Sequence, residues 1–378
     1  MKILSSIILS VSLLQAVSIH AADTNFSDDQ LLKMSAKMLM VGFKGDSITP
    51  DNPVNGYLTD LGVGGIILFD VDLTGSRTLG SRNITTAERL TKLTSELKKL
   101  AGGRVLIAAD QEGGRVQRLK PRYGYSPLPS ARQIGEIDNR DTTLFYGKLM
   151  ADELATAGIN VNLAPELDIH RDDCPVIGGL DRAYSSDVEK IAYHAGLTVD
   201  CLHDKGILAA VKHFPGHGSA TSDSHYGLTD VTTTWSPEEL IPFKHLIDNG
   251  QADLIMTAHI FNRQLDPDMP ATLSKRVLTD LLRNELGYKG IILSDDMYMQ
   301  GIIDNYRIED AVVDAINAGA DMLIMGNNIS TGFEPDRPAR IARIIVQAVK
   351  EGRIDPKRLV ESNQRIDAAI DRITGIKQ

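Results

Sequence analysis

The stretch ILAAVKHFPGHGSATSDSH, residues 207–225, decides how the rest of the chain is read. It opens on an unbroken apolar run, the pattern of a strand buried on both faces of a parallel sheet. The run stops at Lys212 and His213, and a loop of Gly, Pro and Ser residues follows. Parallel α/β folds display their chemistry where buried strands end on polar residues and loops.

The same unit recurs on both sides of that stretch. Residues 63–69 (VGGIILF) end at Asp70, and residues 105–109 (VLIAA) end at Asp110. Residues 159–165 lead to Glu166 and Asp168, residues 254–258 to His259, residues 291–293 to Asp295 and Asp296, and residues 322–325 to Gly326 and Asn327. Residues 38–43 (MLMVGF) make an eighth strand. Helical segments with start and stop signals lie between them. Thr85 with Glu88 and Ser186 with Glu189 have capping-box spacing, Ser236-Pro237 opens a further helix, and glycines such as Gly102, Gly158 and Gly206 close others. Eight strands alternating with helices predict an α/β chain folded as a single-domain (β/α)8 TIM-like barrel over residues 22–378. An open doubly wound sheet is the alternative, although no glycine-rich phosphate fingerprint follows the first strand.

Composition narrows the function. The 378 residues are 42 % hydrophobic and 24 % charged, with a net charge of −10. That mix excludes a disordered or collagen-like chain, and the acidic balance argues against a nucleic-acid partner. Residues 1–21 (MKILSSIILSVSLLQAVSIHA) place one lysine before an apolar, serine-interrupted run that ends on small residues, the build of a secretory signal peptide. The expectation is a periplasmic or secreted protein with no stable membrane insertion after cleavage. In that setting Cys174 and Cys201 suit either one disulfide or two buried free thiols.

The strand ends suggest a site lined by carboxylates, with Lys212 and His213 supplying positive charge. His213 and His217 have the spacing of a helical zinc pair, but Pro215, Gly216 and Gly218 break any helix there, so no metal is expected. Asp223 stands two residues before His225, and an Asp close to a His can orient its ring and keep its proton available. Asp295, at the end of a buried strand, can be aimed into the barrel mouth as a nucleophile must be. Asp296 instead suits a helix cap or bonds to neighbouring loops. Asp110 can accept two hydroxyl hydrogen bonds, and Arg118 can pair with a ligand hydroxyl or carboxylate. Gly113-Gly114 suits a turn, and Arg115 suits pairing with a core carboxylate.

DQEGGRVQR at residues 110–118, KHFPGHG at 212–218, DSH at 223–225 and SDDM at 294–297 occur in the order found in glycoside hydrolase family 3. The chain resembles the β-N-acetylhexosaminidase (NagZ-like) branch of that family along almost all of its length after the leader. The resemblance implies an exo-acting retaining enzyme that removes terminal β-linked N-acetylglucosamine from peptidoglycan fragments or chitooligosaccharides. It assigns Asp295 as nucleophile, His225 as acid/base and Asp223 as the residue that holds His225. It assigns Asp110, Arg118, Arg182, Lys212 and His213 to the sugar, and it implies no cofactor. Around Arg182 the chain carries two more residues than the usual motif. A β-glucosidase, a phosphorylase on the same scaffold and a noncatalytic wall-binding protein are the alternatives to be tested.

Overall fold

The structure is a computed structural model that describes residues 26–222, 227–329 and 332–375. Eight parallel strands close into a barrel: β1 (Leu39–Gly42), β2 (Gly65–Ile67), β3 (Leu106–Ala109), β4 (Val161–Asn162), β5 (Leu208–Phe214), β6 (Leu254–Thr257), β7 (Ile291–Asp296) and β8 (Met322–Met325). Each strand pairs with its neighbour in sequence, and β1 pairs with β8 to complete the circle, with Leu39 opposite Leu323 and Met40 opposite both Gly65 and Ile324. The closed parallel order establishes the barrel and removes the open-sheet alternative. It also removes the exposed edges that an open sheet must protect.

The strands are short, and several expected apolar runs extend beyond them. The run at residues 159–165 contributes only Val161–Asn162 to the sheet, whereas β5 continues past its apolar part through Lys212 and His213. Helices cover the outside, among them α1 (Asp28–Lys37), α2 (Ala87–Leu100), α3 (Arg140–Thr156) and α4 (Val188–His203). Two expected caps are displaced by one residue. Thr86 caps α2 by accepting from the Arg89 amide, while the Thr85 hydroxyl donates to Asp46. Asp187, not Ser186, caps α4, because its carboxylate reaches the amides of Glu189 and Lys190. Ser236 and Glu239 do form the expected reciprocal capping box.

Two strands carry one residue more than their partners. The pairs Val211–Ile255 and Phe214–Thr257 bracket an extra residue on β5, and the pairs Leu293–Met322 and Asp296–Ile324 bracket one on β7. Such bulges change the direction of neighbouring side chains. Both lie at the C-terminal ends of their strands, where the polar residues collect. Cys174 and Cys201 are unbonded and buried, so the disulfide alternative is replaced by two free thiols. Among the described residues no helix is long and apolar enough to cross a membrane.

Closure of the barrel rests on β8, whose Met322, Leu323, Ile324 and Met325 are all buried. Leu323→Ala leaves a cavity in the seam with β1 and is expected to cost about 2–5 kcal/mol. The denaturant midpoint of the purified variant, compared with wild type, measures that loss.

Candidate active site

The C-terminal ends of the strands surround a cavity of about 420 Å³. Asp110, Arg118, Arg182, Lys212, His213 and Asp295 all line it, so the six described residues assigned to the site from sequence come together. Asp223 and His225 lie outside the described residues. Apolar side chains, including Phe69, Leu163, Met256 and Ile324, make much of the remaining wall.

The floor is a buried charge cluster. Lys212 Nζ lies 3.0 Å from Asp110 Oδ1 and 2.7 Å from Glu112 Oε1. Arg182 donates to the same Glu112 twice, from Nε at 2.9 Å and from Nη2 at 2.8 Å, and it also contacts Glu166. Such bidentate bonds fix the planar guanidinium as well as neutralising it. Burial pushes the Asp110 carboxyl upward, but Lys212 and Arg118 outweigh it and hold the group well below the usual carboxylate range. Burial likewise opposes the charge on Lys212, and Glu112 and Asp110 overcome it, raising the ammonium above its ordinary value. Glu166 differs: burial raises it well above its ordinary value and Arg182 offsets only part of that rise. It is therefore the carboxyl of the cluster whose charged form is least favoured.

A hairpin and a bulge build this arrangement. Residues Gln111–Gly113 turn back onto Val116–Gln117 through Gly113 and Gly114, both at positive φ. A Cβ on Gly113 would stand 2.2 Å from the Pro129 carbonyl oxygen, so the turn needs glycine. The turn places Glu112 beneath Arg182 and returns Arg118 to Asp110, 3.3 Å away. Arg115 points elsewhere: exposed, it donates to the Gly179 carbonyl at 3.1 Å rather than to a core carboxylate. Consecutive strand residues ordinarily face opposite sides. The bulge on β5 lets both Lys212 and His213 reach the cavity, and the bulge on β7 does the same for Asp295 and Asp296.

The surroundings of Asp295 and His213 are fixed by bonds that the sequence does not advertise. The Asp296 amide donates to Asp295 Oδ1 at 2.7 Å. The Asp296 carboxylate accepts from the amides of Tyr298 at 3.0 Å and Gly326 at 3.2 Å, as expected of a residue bonded to neighbouring loops. Burial, with Asp295 adding to it, pushes Asp296 up to about 6. His259 Nε2 lies 3.0 Å from the Asp296 carbonyl oxygen and must be the donor, because a carbonyl only accepts. Asp168 accepts from His213 Nδ1 at 2.8 Å and from the His217 amide at 2.6 Å, which ties β5 to the loop beyond it. Glu112, Glu166 and Asp168 were not among the site residues chosen from sequence. Glu166 and Asp168 stand among the strand-end carboxylates legible in the sequence, with no particular role assigned to them there, whereas Glu112 needed the hairpin. Glu166, Asp168 and His213 bring ligand-type atoms within 4.8 Å of one another, the spacing of a metal site. Those atoms already face Arg182 and each other, and two cations adjoin them.

Lys212→Met removes the cation that Asp110 and Glu112 share, leaving them with Arg118 and Arg182, and is expected to destabilise the fold by about 3–5 kcal/mol. Adding Glu112→Gln removes one of the two carboxylates that lose Lys212 and is expected to restore part of that loss. Denaturation of the two single variants and the double variant measures the coupling directly.

The chain matches the glycosyl hydrolase family 3 N terminal domain over residues 30–373. It is 39 % identical to a β-hexosaminidase of Tolumonas auensis, over 70 % of this chain and 76 % of that protein. It is 34 % identical to a β-hexosaminidase of Idiomarina loihiensis, over 82 % of this chain and 93 % of that protein. Its fold superposes on a glycoside hydrolase family 3 β-N-acetylglucosaminidase from Paenibacillus sp. str. FPU-7 with a TM-score of 0.82 at 32 % identity, covering 92 % of this chain and 63 % of that one. The match along nearly all of the described residues, on a barrel whose strand ends carry the expected side chains, assigns this chain to glycosyl hydrolase family 3.

Proposed function

We propose that this protein is an exo-acting retaining β-N-acetylglucosaminidase that removes terminal β-linked N-acetylglucosamine from peptidoglycan fragments or chitooligosaccharides. The observation that carries the reading is the position of Asp295, which lines the same cavity as Asp110, Arg118, Arg182, Lys212 and His213. The relatives named β-hexosaminidase supply the substrate class. The Asp110 carboxylate is held ionised by Lys212 and Arg118, yet it borders the cavity, so its remaining lone pairs suit two hydroxyls of one sugar ring.

In the first step Asp295 attacks the anomeric carbon and the glycosidic bond breaks, forming a covalent glycosyl-enzyme. His225 gives its proton to the departing oxygen, then takes one from water as that water cleaves the glycosyl ester. Asp223 holds His225 in this scheme. A histidine in place of the usual second carboxylate adds no negative charge near Asp295. The leader at residues 1–21 supports action in the periplasm or outside the cell.

Hydrolysis of 4-nitrophenyl N-acetyl-β-glucosaminide, beside the matching β-glucoside, tests the reading. Selective release that is unaffected by chelator is expected. Equal release from the glucoside favours a β-glucosidase, and release that requires phosphate with formation of a sugar 1-phosphate favours a phosphorylase. No release from folded protein counts for a binding role. Asp295→Ala is expected to abolish turnover. His225→Ala is expected to slow substrates with poor leaving groups most, and equal losses across leaving groups would remove the acid role.

A further inference from the structure

Glu239 is a buried carboxyl, 1 % exposed, on the short helix Pro237–Leu240. It serves in the capping box of that helix, where Oε1 accepts from the Ser236 amide at 3.3 Å. The same oxygen accepts a second bond, 2.7 Å long, from the Ser219 hydroxyl on the loop after β5. The other oxygen, Oε2, has no hydrogen-bond partner among the described residues and lies against Gly216. A Cβ on Gly216 would stand 2.7 Å from that oxygen, and Gly216 has φ +124°. A neighbouring residue holds the same loop: the Trp235 indole donates to the Pro215 carbonyl at 3.0 Å. Residues 215–219 thus rest on residues 235–239, directly after Lys212 and His213 of the cavity wall.

We propose that Glu239 is a positioning residue for the proposed hydrolysis, seating the loop base at Gly216 and Ser219 that directly follows Lys212 and His213 of the cavity lining. The inference rests on the proposed hydrolytic activity. A carboxylic acid is the form that suits this setting, because a carboxylate would leave Oε2 charged and unbonded beside backbone. Burial pushes Glu239 up to about 7, and the bond from Ser219 offsets only part of the rise. From the loop after β4, Asp168 and Arg171 face it, Asp168 raising and Arg171 lowering its value. Asp168 stays ionised, Arg171 stays charged and His217, held near 4 by burial and His213, stays neutral between pH 5 and 9. Glu239 therefore loses its proton near neutral pH, and a charge then appears under the loop. The native value of Glu239 lies above its unfolded one, so its contribution to stability is complete below pH 4.5 and is lost as pH rises to about 7.

Trp235 is the only tryptophan of the chain, so its emission reports on this loop base. In the full-length wild type, a fluorescence change with a midpoint near pH 7 is expected. Glu239→Gln, whose amide oxygen can accept from Ser219 and Ser236 without taking a charge, is expected to abolish that transition. It should also make the fall in kcat from pH 6.5 to pH 8.5 smaller than in wild type, with KM unchanged. Glu239→Ala removes the acceptor, and a misplaced loop is expected to lower kcat about 10- to 100-fold at both pH values. A transition of equal size in Glu239→Gln, or none in wild type, overturns the proposal. The fluorescence reading needs no substrate, so its failure is distinct from failure of the assigned activity.

Discussion

The site depends on a charge balance that no single strand could hold. Lys212 enters from β5, Asp110 from the end of β3, Glu112 from the hairpin beyond it, and Arg182 from the loop after β4. Each charge is costly to bury alone, and each is tolerated because its partners arrive from a different part of the chain. The cluster thereby couples the geometry of the mouth to correct closure of the barrel. It also separates the carboxyls: Lys212 and Arg118 favour the charged form of Asp110, whereas burial pushes Glu166 the other way even though it contacts Arg182.

The apolar wall completes the logic. Phe69, Leu163, Met256 and Ile324 border the cavity without offering hydrogen bonds. They exclude water from the flank of the charges, where screening would weaken every polar contact. A ligand with hydroxyls on its rim and C–H groups on its faces matches such a chamber better than a uniformly charged one. Orientation within it follows from the few polar groups at its floor.

Much of this was legible in sequence because strand ends and buried runs leave a plain pattern. The eight runs, their order and the strand-end positions of Asp110, Lys212, His213 and Asp295 match the structure. What was hidden depended on partners far away in sequence. Glu112 resembles a loop residue until the hairpin folds and Arg182 arrives from 70 residues on. Asp168 acts largely through backbone amides, which every residue shares, so no side-chain motif marks it. Glu239 was visible as the partner of Ser236, but its bond to Ser219 was not. Caps were misplaced by one residue, at Thr85 and Ser186, because adjacent Thr, Ser and Asp residues compete for the same role.

The bulges on β5 and β7 have a consequence for how this barrel can vary. Each lets two successive side chains serve one chamber, so the chemistry depends on residue count as well as residue type. Losing one residue from residues 212–213 or 294–295 would restore regular pairing to the sheet and turn a functional group into the wall. Such a deletion could leave a well-folded barrel with no working chamber. Variation in length is therefore expected to gather in the connecting loops, while these two segments keep their number of residues even where their neighbours drift.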